Sequence, residues 1–118
     1  MAGFDLPDSP AFEYWRLVRQ EYYHWRALEA LTRLLDYYES VQDYEQVCRW
    51  TLHKLELDPW SELSYRRRMK ALALSGQRGM ALQQYRVCQD VLGRDLGVTP
   101  AAETFRLYEQ IRDRTLEG

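Results

Sequence analysis

The sequence predicts an all-α fold of about five antiparallel helices. Apolar residues return every three or four positions along nearly the whole chain, Pro and most Gly fall at or near the junctions between such runs, and no segment alternates as a strand does. The 118 residues are 46% hydrophobic and include three Phe, four Trp and nine Tyr. That length and that apolar content suit one ordered domain with its own core.

The first helix starts at Ser9-Pro10, since Ser can cap and Pro at the first helical position loses no hydrogen bond. No breaker follows before Val41-Gln42-Asp43. Trp15, Val18, Tyr22, Trp25, Leu28, Leu31, Leu35 and Tyr38 read as one apolar stripe on a single long helix, with His24 the place for a bend. The second helix begins at Asp43, with Gln46 completing a capping box, and stops before Pro59. Its inward stripe is Tyr44, Val47, Cys48, Thr51, Leu52 and Leu55. The third covers about 60–75 and ends at Gly76, and the fourth runs from about 78 to 95 and ends at Gly97. In the fourth, Ala81, Leu82, Tyr85, Cys88 and Leu92 point inward. Thr99-Pro100 offers a second cap-plus-proline start, for a fifth helix with Thr104, Leu107, Tyr108 and Ile111 on one stripe.

The overall charge is −2, but it is unevenly spread. Residues 1–58 carry six basic and eleven acidic side chains, whereas 62–94 carry seven basic and two acidic. A general nucleic-acid binder needs basic excess, so that class is disfavoured. Cys48 and Cys88 have no CxxC spacing and are expected as reduced, buried thiols in a cytoplasmic protein. No apolar run has the roughly 18–20 residues that span a bilayer, and the N-terminus has no signal-peptide pattern.

At an offset of 34 residues the second helix aligns with the fourth (Val47 on Ala81, Cys48 on Leu82, Thr51 on Tyr85) and the end of the first with the third (Leu31 on Tyr65, Tyr38 on Leu72). Gln42 falls on Gly76. Thirty-four residues is the tetratricopeptide period. The expected organisation is an extension over 1–9, a long helix plus first repeat over 10–58, a second repeat over 59–97, and a capping helix over 98–118.

Read in order, further motifs narrow the family. Phe4-Asp5-Leu6-Pro7-Asp8-Ser9-Pro10-Ala11-Phe12-Glu13 and Trp15 are followed by Arg19, Ala27-Leu28 and Leu31. Leu57-Asp58-Pro59, Glu62, Arg66, Met69, Gly76, Ala81-Leu82 and Tyr85 come next. Leu96-Gly97, Pro100, Glu103-Thr104, Leu107-Tyr108 and Ile111 complete the series. Together, from about Phe4 to Arg112, they resemble the bacterial transcriptional activator domain of SARP-type regulators. Tyr65 stands where that pattern has His, and Arg67-Arg68 where aliphatic residues are commoner. The resemblance implies a regulatory and self-association domain, DNA being contacted by a preceding winged-helix domain outside these residues. It implies other segments or domains of the parent regulator as partners, a homodimer among them, and no enzyme activity.

On the third helix, Tyr65, Met69, Leu72 and Ala73 share one side and Leu63, Arg66, Arg67, Lys70 and Leu74 the other. In tetratricopeptide folds the first helix of each repeat lines a concave groove. That likeness implies a partner groove with Leu63, Arg66, Arg67, Lys70 and Leu74 on a basic wall. Glu29, Thr32, Asp36 and Glu39 then form an acidic one. The competing use of these charges is mutual neutralisation as surface ion pairs, each worth about 0–1 kcal/mol. The first helix carries aromatics on more than one face, so Tyr22, Tyr23 and Trp25 are expected against another domain or a dimer mate.

Neither metal nor cofactor is expected. Cys48 and His53 are five apart, off the i, i+4 spacing of helical ligands, and His24 stands alone. No nucleophile elbow, Gly-rich phosphate loop or HExxH occurs, and no carboxylate pair stands out. A peptide-binding tetratricopeptide adaptor unconnected with transcription is the alternative function, and a small helical enzyme a remoter one.

Overall fold

The computed structural model describes residues 10–117, and they form five α-helices with no strand among them. The helices are α1 (Pro10–Ser40), α2 (Tyr44–Leu57), α3 (Glu62–Leu74), α4 (Arg78–Leu96) and α5 (Ala102–Arg112). Each packs on its sequence neighbour, and α3 also meets α5, so α3 is the centre of the molecule. The expected cap at Ser9 lies outside the described residues. Among the described residues no helix is long and apolar enough to cross a membrane.

Local chemistry sets most boundaries. The Asp43 carboxylate accepts from the Gln46 amide at 3.3 Å, satisfying one orphan donor of α2. The return arm of the expected box is missing, because Gln46 Oε1 accepts from the indole N–H of Trp50 instead. Ser61 caps α3 through the Ser64 amide. The fifth helix departs from expectation. It begins at Ala102, beyond Thr99-Pro100, and the cap residue Ala101 supplies no side chain. Its start is fixed from a distance by Glu62, whose Oε1 accepts from the Ala101 amide at 2.9 Å and from the Thr104 hydroxyl at 2.7 Å.

The two turns between α1 and α2 and between α3 and α4 superpose at an offset of 34. Gln42 N–H donates to Glu39 O and Asp43 N–H to Tyr38 O; Gly76 N–H donates to Ala73 O and Gln77 N–H to Leu72 O. Both turns reverse through a left-handed residue, Gln42 at φ 57° and Gly76 at φ 85°.

Three apolar groups fill the interior. Met69, Leu72, Ala81, Tyr85 and Ile111 join α3, α4 and α5. Leu55, Tyr65, Cys88 and Leu92 join α2, α3 and α4. Leu35, Val47 and Ala71 join α1, α2 and α3. Small residues on α3 (Ser64, Ala71) let neighbouring backbones approach, while its long ones (Tyr65, Met69, Leu72) reach α4. Cys88 is fully buried, but Cys48 is only half-buried.

Two inward assignments do not hold. Leu52 is 48% exposed, because α3 and α1 flank α2 on the sides carrying Val47, Thr51 and Leu55. The first half of the α1 stripe (Trp15, Val18, Tyr22, Trp25) is exposed as well. From Tyr22 the stripe advances in three consecutive steps of three residues. Each step lags about 60° behind a full turn, so the stripe winds around the helix instead of facing one neighbour.

Candidate functional site

Burial of Tyr65, Met69 and Leu72 turns Leu63, Arg66, Arg67 and Lys70 to the opposite side of α3. There they line a groove of about 420 Å³, closed on one side by Glu39 of α1 and on the other by Glu103, Arg106, Leu107 and Gln110 of α5. Glu62 builds this second wall, since its two bonds to the start of α5 clamp that helix against α3.

The arginines in the groove are already engaged. Arg66 Nη1 donates to Thr104 Oγ1 at 2.9 Å and lies 3.7 Å from Glu103. Arg67 Nη2 donates to Asp36 Oδ1 at 2.7 Å, and its Nη1 lies 3.5 Å from Glu39. That Nη1 is buried and makes no hydrogen bond among the described residues. Lys70 and Arg106, by contrast, have no carboxylate within ion-pair distance among the described residues. The groove thus presents two unpaired cations beside the apolar Leu63 and Leu107.

Of the residues expected in the groove, Glu39, Leu63, Arg66, Arg67 and Lys70 are brought together, and Asp36 holds Arg67 from the rim. Glu29 and Thr32 line a separate depression with Trp25, Leu28, Lys54 and Asp58. There Glu29 is 3.6 Å from Arg33, and the Thr32 hydroxyl is spent on the Leu28 carbonyl. Leu74 lies beyond the far end, against Arg78, Ile111 and Leu116. The α5 wall went unanticipated. Glu103, Arg106 and Gln110 flank the Thr104–Ile111 stripe, but only the packing of α5 on α3 turns that flank inward.

Two further cations are buried away from the groove lining. Arg68 Nε donates to Gln84 Oε1 at 2.9 Å and its Nη1 to Cys48 O at 2.6 Å, tying α2 to α4 through α3. Burial lowers its pKa. Lys54 is also buried, and burial, reinforced by repulsion from Arg67, lowers its pKa.

Tyr22, Tyr23 and Trp25 all lie exposed on α1. Arg19 donates to the Tyr23 hydroxyl at 2.7 Å and sits 4.9 Å over the Trp15 ring; Arg26 donates to the Tyr22 hydroxyl at 3.3 Å. Among the described residues no three His, Cys, Asp or Glu side chains stand close enough to hold a metal ion.

A search of the curated proteins finds no match, and a search of the solved structures finds none. The family model of the bacterial transcriptional activator domain matches residues 3–112, nearly the whole chain. The protein, an all-helical unit whose central helix meets three neighbours, belongs to that family of regulatory domains.

Proposed function

We propose that this domain is the regulatory, partner-binding part of a SARP-type activator working in the cytoplasm. DNA contact then belongs to a winged-helix domain of the parent, and residues 10–58 and 59–97 act as two repeat units closed by 98–118. The α3–α5 groove takes an acidic segment of the parent or of another protein. The observation that carries this reading is that Lys70 and Arg106 line the groove with Leu63 and Leu107 and have no ion-pair partner among the described residues. Such a surface favours carboxylates interleaved with apolar side chains. The arginines of α3 are held by Thr104, Asp36, Glu39, Cys48 O and Gln84, which leaves no basic stripe for phosphates.

A fluorescein-labelled peptide of alternating Glu and Leu, titrated against the chain, tests the groove. Binding that weakens with salt and disappears in Lys70→Glu/Arg106→Glu is expected, with the unfolding midpoint of the double variant unchanged. Equal affinity for a Lys-Leu peptide removes the groove from the reading. The isolated chain should also leave duplex DNA unshifted in a mobility assay.

A further inference from the structure

Arginine carries most of the positive charge of this chain, and lysine occurs only at Lys54 and Lys70. Their surroundings differ. Lys70 is exposed, whereas Lys54 is buried, at 7% exposure. A buried ammonium ordinarily has a carboxylate or several acceptors around it, because a desolvated charge is costly. Among the described residues Lys54 has neither. Its Nζ makes no hydrogen bond, and no carboxylate lies within ion-pair distance. Nor is that nitrogen sealed off: among the described residues the unbonded side-chain atom closed to solvent is Arg67 Nη1. Lys54 lines the depression of about 490 Å³ between α1 and the turn from α2 to α3. The other polar groups there are committed. The Thr32 hydroxyl donates to Leu28 O at 2.9 Å, Ser61 Oγ accepts from the Ser64 amide and hydroxyl, and Glu29 faces Arg33 at 3.6 Å.

We propose that Lys54 is an acylation site, its amine taking the acyl group of a small acyl phosphate that enters this depression. The lone pair of the neutral Nζ attacks the acyl carbon and forms the N–C bond. The C–O bond to phosphate breaks, its electron pair leaves on the phosphate, and the nitrogen proton passes to water. The surroundings favour each part of this step. Burial, then repulsion from Arg67 on α3, lowers the Lys54 pKa from 10.5, against the opposing pull of Asp58 after α2 and Asp36 on α1. More of the amine is therefore in its nucleophilic, uncharged form. Leu28 and Trp25 offer the acyl chain an apolar wall, and Arg33 is the second cation of the lining, suited to a departing phosphate. The product amide removes a buried, uncompensated charge and ends the repulsion of Arg67. No residue lines both this depression and the α3–α5 groove, so the inference does not depend on the groove.

Acetyl phosphate is the probe, and Lys70 is the control within the same chain. Accessibility alone favours the exposed Lys70, so a faster Lys54 reports activation by its site. The folded chain is incubated with acetyl phosphate at about pH 8, where ordinary lysines are almost wholly protonated. Acetylation at each position is then followed by tandem mass spectrometry of chymotryptic peptides. Lys54 is expected to react several-fold faster than Lys70. In guanidinium chloride, where the depression is gone, the two rates should converge. Asp58→Asn removes a carboxylate that favours the charged ammonium, and should speed Lys54 further with the circular dichroism of the folded chain unchanged. A Lys54 that reacts no faster than Lys70 in the folded chain overturns the inference, the amine then being shielded by its burial. A preference for Lys54 that survives denaturation overturns it by tracing the reactivity to local sequence. An Asp58→Asn chain in which Lys54 reacts no faster than in wild type overturns it by removing the electrostatic control of the amine.

Discussion

Gln42 adopts the left-handed conformation of Gly76, its counterpart 34 residues later, and the flanking backbone hydrogen bonds coincide pair for pair. Glycine enters that region freely, whereas a side chain is penalised by about 1–2 kcal/mol. Gln42→Gly should therefore raise the unfolding free energy by about 1 kcal/mol, and Gly76→Ala should lower it by a similar amount. A Cβ at Gly76 meets nothing within 4 Å, so that loss is purely conformational. Urea titrations of both variants check the pair; no change in either rules out the shared turn.

The clamp between Glu62 and Thr104 governs α5. Thr104 is fully buried, and its hydroxyl donates to Glu62 while accepting from Arg66. Removing either partner leaves buried polar groups unmatched, at about 1–3 kcal/mol. Glu62→Ala and Thr104→Val should each lose that much stability and speed amide exchange in α5 before α2. Exchange that accelerates evenly in all helices counts against a local clamp.

Alkaline pH should destabilise the fold through Cys88. Burial pushes this thiol from 9.0 up to about 12, with Glu62 adding to the shift and Arg66 opposing it. The folded chain keeps a proton that the unfolded chain releases above about pH 9. The stabilisation is complete below pH 9 and is lost as pH rises toward 12. Tyr65 and Tyr85, raised by burial from 10.0, act in the same direction at the upper end. Denaturation between pH 8 and 10.5 should show a decline that Cys88→Ala makes shallower. An identical slope in the variant removes the thiol as the cause.

Arg68 carries a buried charge whose hydrogen bonds go only to neutral acceptors, Cys48 O and Gln84 Oε1. A desolvated charge without a counter-ion is costly, while its aliphatic stem packs like a hydrocarbon. Arg68→Met should stay within about 1 kcal/mol of wild type. Arg68→Ala, which also opens a cavity, should cost about 2–4 kcal/mol. Equilibrium unfolding of the two variants separates the roles of charge and stem.

Helix count, the α2 and α3 starts, the Gly76 and Gly97 ends and the inward set of α4 were legible because caps and spacing act locally. The start of α5 was not, since its anchor is a carboxylate 39 residues upstream. Leu52 misled because a stripe records spacing but not which flank a neighbour covers. For the groove, the α3 cations could be read from helical angle alone. Their α5 opposites could not, because no periodicity within α5 announces its contact with α3.

The uncovered stretch from Tyr14 to Arg26 also has a thermodynamic consequence. Held by little beyond its own backbone bonds, such a segment sits near helix–coil balance. Ordering it and covering it become one event, so circular dichroism at 222 nm should deepen when a partner surface covers it. The remaining helices pack on one another, so their order does not depend on a neighbour in the same way.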